Sequence, residues 1–213
     1  LVPQSVSYLD PLMKVGTQVR GRKADKEIIK AQREIFRRFH LDEKTEQLYP
    51  FQLSGGMARR VLVSTAVLSG AEVIIADEPT PGLDLEMALE ALKIFRELSD
   101  EGKAVILITH DIDLAFHIAD RIAVFYAGTT VEIAAAKDFL EGVDALRHPY
   151  SKALWKALPQ NGFEPIPGFQ PYAKYLPKGC LFSPRCPHKT KECEENIPMR
   201  EVRGGYVRCI HAD

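Results

Sequence analysis

The chain has 213 residues, 46% of them hydrophobic and 27% charged, with a formal net charge of −1. That is the profile of a globular protein with a core, of one domain or one plus a small appendage. The near-neutral balance excludes an electrostatic footprint for nucleic acid or anionic lipid, and no apolar run approaches the ~20 residues that span a bilayer.

Residues 11–22 and 24–40 have a helical pattern, with Ile28, Ile35 and Phe39 as apolar positions among many charges. From Lys14 to Arg38 there are nine Lys or Arg against three acids, which reads as a solvated helical face. "LSGG" at 53–56 precedes a helix carrying Ala58, Val61, Leu62, Thr65 and Leu68 on one face and stopped by Gly70. "VIIA" (73–76) and "AVILIT" (104–109) are continuous apolar runs, the pattern of parallel strands buried on both faces. Between them, Leu85, Leu89, Leu92, Phe95 and Leu98 form the stripe of a helix over 85–99. A short helix over 112–119 follows, with Asp111 as its N-cap. "RIAVFY" and "TTVEI" around Gly128 predict two more strands joined by a turn. Strands alternating with helices predict an α/β layer with a mostly parallel sheet.

The character changes near residue 147. "RHPYSKALWKALP" predicts one short helix led in by a proline. Pro159, Pro165, Pro167, Pro171 and Pro177 then fall within nineteen residues, which predicts an extended linker or wrap. All four cysteines lie in the tail beyond it, at 180, 186, 193 and 209.

Three places carry chemistry. Asp77 and Glu78 sit at the carboxyl end of the first buried strand, where ligands gather in α/β sheets. Paired acids there suit a divalent cation and a water: one holds Mg²⁺ while its neighbour orients or activates the nucleophile. The bland alternative is two acids capping a turn. His110 ends the second strand in the same way, so neighbouring strands would bring it to the same crevice to meet a phosphate oxygen or a water. Ser54, Gly55 and Gly56 open a helix whose unpaired N–H groups and positive dipole end make an anion site, with a plain serine N-cap as the alternative.

The order of these pieces is more specific than any of them. Ser-Gly-Gly, about twenty residues, strand-Asp-Glu, "PGLD" and strand-Thr-His resemble the nucleotide-binding subunits of ABC transporters, over residues 1 to about 145. "LSGGM" is similar to the family signature, "VIIADE" to its Walker B strand, "PGLD" to the D-loop and His110 to the switch histidine, while Gln4 in "LVPQS" matches the Q-loop glutamine. The resemblance implies a partial P-loop NTPase fold with a helical subdomain, dimerised head to tail with ATP at the interface. Asp77, with Gln4, would support Mg²⁺; Glu78 would be the base, and His110 would reach the γ-phosphate. Ser54, Gly55 and Gly56 would bind that phosphate from the opposite subunit, Asp84 would link the two sites, and Gln4 would couple nucleotide to membrane subunits through residues 5–50. Met57 and Arg59 depart from the glutamines usual in the family. No G-x-x-x-x-G-K-[ST] occurs in the 213 residues, and the chain opens on Leu1. It is therefore expected to be a fragment of a longer subunit, binding ATP weakly or not at all and inactive alone.

The tail resembles a narrower group. "HPYSKALWKALP", "PIPG" and "GCLFSPRCPHKTKECEENIP" are similar to the C-terminal extension of ATPases serving oligopeptide, dipeptide and nickel or metallophore importers. The expected division is a Q-loop and helical signature region over 1–70, the C-terminal part of the ATPase core over 71–146, and a Pro-rich linker with an irregular cysteine-bearing extension over 147–213. Cysteine gaps of five, six and fifteen contain no C-x-x-C. Cys180, Cys186, Cys193 and Cys209 are candidate ligands for [4Fe–4S] or Zn²⁺, with free thiols as the alternative.

The resemblance implies an ATP-hydrolysing importer subunit, peripheral at the cytoplasmic face of a bacterial or archaeal membrane. Its partners would be a second ATPase subunit, the permease subunits and, indirectly, a substrate-binding protein, with no nucleic acid. The other readings are a soluble ABC ATPase of DNA repair or translation and a metal-binding regulatory module.

Overall fold

The computed structural model describes residues 1–21, 25–80 and 85–213 of the chain. They form two compact units, Leu1–Leu114 and Ala115–Asp213.

In the first unit, Asp10 turns the chain before the first helix: its carboxylate accepts the Leu12 N–H, and its own N–H donates to Gln18 Oε1. Helix α1 therefore starts only at Val15 (Val15–Arg20), later than the pattern over 11–22 suggests. Helix α2 (Lys26–Arg38) is capped by Asp25, which accepts the Ile28 N–H, and it buries Gln32 and Phe36. Both helices pack on α3 (Gly55–Leu68), whose Val61, Leu62 and Val63 are buried. The basic stretch is not simply solvated. Arg33 grips Glu46 through two bonds of 2.7 and 3.2 Å, and Arg38 reaches Glu97 and Glu101.

Strand β1 (Val73–Asp77) and strand β2 (Ala104–Ile108) pair in parallel, with α4 (Leu85–Asp100) as the crossover between them. Leu92, Phe95 and Leu98 of α4 are buried. The strands were expected to be covered on both faces, but only one is: Ile74 and Ala76 are fully buried, while Val73 and Ile106 are each 51% exposed. Val2 extends the sheet by a parallel bridge to Ala76 on the side of β1 away from β2. Helix α5 (Ile112–Ile118) contains the boundary between the units, and Asp111 caps it by accepting the Leu114 N–H at 3.1 Å.

The second unit is built on an antiparallel sheet in the order β3 (Arg121–Tyr126), β4 (Thr129–Ala135), β6 (Gly205–Val207), β5 (Arg200–Val202). Parallel pairing is thus confined to β1, β2 and the Val2 bridge among the described residues. Both hairpins turn through two positive-φ residues, Ala127–Gly128 and Arg203–Gly204, the geometry that matches strand twist. Helices α6 (Ala136–Glu141) and α7 (Pro149–Lys156) cover the sheet. Their core joins Val124, Tyr126, Phe139 and Leu146 to Cys180, Phe182, Cys193 and Ile197. The Phe182 ring meets Tyr126 edge-on at 5.4 Å.

Candidate functional site

Asp77 closes β1, and its N–H donates to the Val2 carbonyl. The register pairs Asp77 with Ile108, so the residues after each strand emerge side by side. Glu78 then takes a left-handed backbone, φ 45°, while its N–H donates to the Ile108 carbonyl at 2.8 Å. This turn brings the Glu78 carboxylate to His110. Oε1 accepts the His110 backbone N–H at 3.1 Å and lies 2.7 Å from Nδ1 of the ring. Oε2 is buried and has no hydrogen-bond partner among the described residues. The side chains contrast in exposure, 17% for Glu78 and 81% for His110. Hydrogen bonding to Glu78, reinforced by its charge, raises the His110 pKa and favours an imidazolium that donates to the carboxylate.

Gln4 is exposed at a bend, two residues past the Val2 bridge, so it sits on the same edge of β1 as Asp77. Ser54 caps α3: its Oγ accepts the Met57 N–H at 3.2 Å. That bond satisfies one donor of the helix start and leaves the Gly55 and Gly56 N–H groups without a helical acceptor. A Cβ on Gly55 would meet nothing within 4 Å among the described residues, so the helix start is open to an approaching group. Asp84 lies outside the described residues.

The structure thus gathers Gln4, Asp77, Glu78 and His110 around the ends of two strands and puts Ser54, Gly55 and Gly56 on a separate element, the start of α3. It also adds residues that had no assigned role, Arg59 having stood out only as a departure from the family glutamine. Arg59 is buried on α3 and donates from Nη1 to the Pro3 carbonyl at 2.8 Å, one residue before Gln4. Its signal was a charged residue beside the small, apolar face of an amphipathic helix. In the second unit, His211 Nε2 lies 3.5 Å from the Cys193 thiol.

The four cysteines line one region of the second unit: Cys180 N–H donates to the Cys193 carbonyl, and all four thiols are free. Burial pushes the Cys180, Cys186 and Cys209 thiols up, and neighbouring cysteines push the same way. Four thiols are the right donor chemistry for iron–sulfur or zinc. Yet no group of three or more His, Cys, Asp or Glu is placed to hold a metal ion among the described residues. As placed, these side chains do not form a ligand set.

A parallel strand pair ending in two acids and a histidine, with a Ser-Gly-Gly helix start in the same unit, defines the ATP-binding cassette class. Residues 1–81 match the ABC transporter family, and residues 131–193 match the oligopeptide/dipeptide transporter C-terminal region. The chain carries segments that match both. It is 40% identical over 172 residues to the oligopeptide transport ATP-binding protein OppD of Escherichia coli (strain K12), covering 78% of this chain and 50% of that protein. It is 35% identical to the dipeptide transport ATP-binding protein DppD of Bacillus subtilis (strain 168), covering 93% and 62%. Among solved structures, cbiO1 from Clostridium perfringens, part of the ABC transporter complex cbiONQ, superposes with a TM-score of 0.59 at 27% identity, over 66% of this chain and 58% of that one. The chain spans about half the length of the OppD protein it matches.

Proposed function

We propose that this chain is the portion of an ABC importer ATPase that carries the hydrolytic carboxylate, the switch histidine and the signature helix. The Glu78 carboxylate carries the reading. One oxygen is held by His110 and the other is buried with no partner among the described residues. An orphaned carboxylate oxygen inside a protein costs free energy unless a guest satisfies it. A water donating to Oε2 would be oriented and relieved of a proton there. Bound Mg·ATP would supply the phosphoanhydride that is cleaved. Asp77 and Gln4 are the oxygen donors for Mg²⁺, and the N–H groups at Gly55 and Gly56, with the Ser54 hydroxyl, are an anion cradle offered to nucleotide on a second subunit. His110 keeps Glu78 aimed and donates from its ring once it lets go.

The similar proteins are oligopeptide and dipeptide transport ATP-binding proteins, which favours peptides over nickel or metallophore complexes as cargo. A second ATPase subunit and membrane permeases are the partners in this reading, and a peripheral place at the cytoplasmic membrane face follows from them. The full-length subunit with Glu78→Gln should hydrolyse ATP about 10²–10⁴-fold more slowly while still binding it, as expected for a lost general base. Undiminished turnover in that variant would remove Glu78 from the role.

A further inference from the structure

Arg59 is 6% exposed, and burial lowers its pKa with no acid among the described residues acting to offset it. Guanidinium groups are seldom buried without a carboxylate, because desolvation of the charge is then uncompensated. An apolar residue of similar length would fill the space without that penalty. What the guanidinium adds is direction: Nη1 donates to the Pro3 carbonyl at 2.8 Å.

The position of that carbonyl matters. The Val2 carbonyl accepts the Asp77 N–H at 3.0 Å, and the Val2 N–H donates to the Ile75 carbonyl. Pro3 has a fixed φ and no N–H of its own. The two peptide units ahead of Gln4 are therefore held from different sides, one by β1 and the next by α3. Arg59 lies five residues beyond Ser54, about 7.5 Å along the helix axis from its start.

We propose that Arg59 is a positioning residue that ties the placement of Gln4 to that of the signature helix, a proposal that rests on the nucleotide-site reading above. Through Pro3, a shift of the Gln4 backbone on meeting Mg²⁺ is felt at α3, and so at the Ser54–Gly56 cradle presented to the partner. Reorientation of α3 acts back on Gln4 along the same path.

The test uses the full-length subunit with Arg59→Met, which keeps length and removes the donors, and Arg59→Lys, which keeps one. Hydrogen exchange in the absence of nucleotide should be about tenfold faster for Arg59→Met in residues 1–8 and at Asp77, the order expected for losing one charged hydrogen bond. Exchange in α2 and α4 should not change, and Arg59→Lys should restore most of the protection. In steady-state hydrolysis, Arg59→Met should raise the KM for Mg²⁺ by a larger factor than it lowers kcat. Unchanged exchange at residues 1–8 and 77 would overturn the proposal. So would a uniform rise across the whole unit, since that is what a merely structural arginine gives. Wild-type protein that neither hydrolyses ATP nor responds to Mg²⁺ would sink the nucleotide-site reading instead, and the exchange measurements would still decide whether the tie exists.

Discussion

The two units treat a buried carboxylate in opposite ways. In Ala115–Asp213, Arg147 is consumed internally: it donates to Asp138 at 2.8 Å, to the Val202 and Arg203 carbonyls and, more loosely, to Glu132. Glu132 is fully buried and also accepts the backbone N–H groups of Arg147 and His148. Among the described residues of Leu1–Leu114, Glu78 keeps an unused oxygen, Gly55 faces open space, and Val73, Ile106 and Ile108 stay about half exposed. The second unit satisfies its buried carboxylate from its own chain, although His148 Nε2 and Ser151 Oγ stay unpartnered there; the first leaves one oxygen of Glu78 without a partner among the described residues.

That contrast is broken most severely at Arg147. Arg147→Met leaves Glu132 charged and buried without its cation, which should destabilise the second unit by about 3–5 kcal/mol. Trp155, the only tryptophan, donates from Nε1 to the Phe139 carbonyl within this unit, so its fluorescence during denaturation reads the loss directly. An unshifted transition would show that the network is ornamental.

A smaller effect separates the two histidines by sign. His148 is buried, with its Nδ1 accepting the Tyr150 N–H and Nε2 lacking a partner among the described residues. Burial lowers its pKa to about 4, against a weak opposing pull from the Arg208 backbone. The unfolded chain thus binds a proton that the folded one refuses. Stability of the second unit is full above the ordinary value near 6.5 and falls as pH drops through about 4, by roughly 3 kcal/mol in the limit. His110 runs the other way: its raised pKa makes the contact with Glu78 strongest below the ordinary histidine value and lost as pH rises through the raised one. Following Trp155 between pH 7 and 4 tests the first. An NMR titration of His110, expected to drop toward the ordinary midpoint in Glu78→Gln, tests the second.

Much of the first unit was legible before folding. Apolar runs ending in charged or polar residues located β1 and β2, and their common register made His110 a neighbour of Glu78. The Ser54 cap and the Asp111 cap were both readable as helix starts. What escaped notice has identifiable causes. Strands β5 and β6 are three residues each, too short for alternation to register, although "VRGGYV" holds the positive-φ pair of their turn. The late start of α1 depends on side-chain bonds from Asp10 that compete with the helix. The exposed face of β1 and β2 could not be read, since an apolar run states what a strand can bury and not whether its cover lies within reach. Arg59 was visible as a departure, but its bond to Pro3 joins residues 56 apart.

The left-handed backbone of Glu78 has one more consequence. A side chain with a Cβ is held there at a penalty of about 1–2 kcal/mol that glycine would escape. Relaxation toward a steadier fold is therefore open at the position proposed for the hydrolytic carboxylate. Selection for thermal endurance alone would be expected to replace this acid, and under the proposed role keeping it trades endurance for turnover.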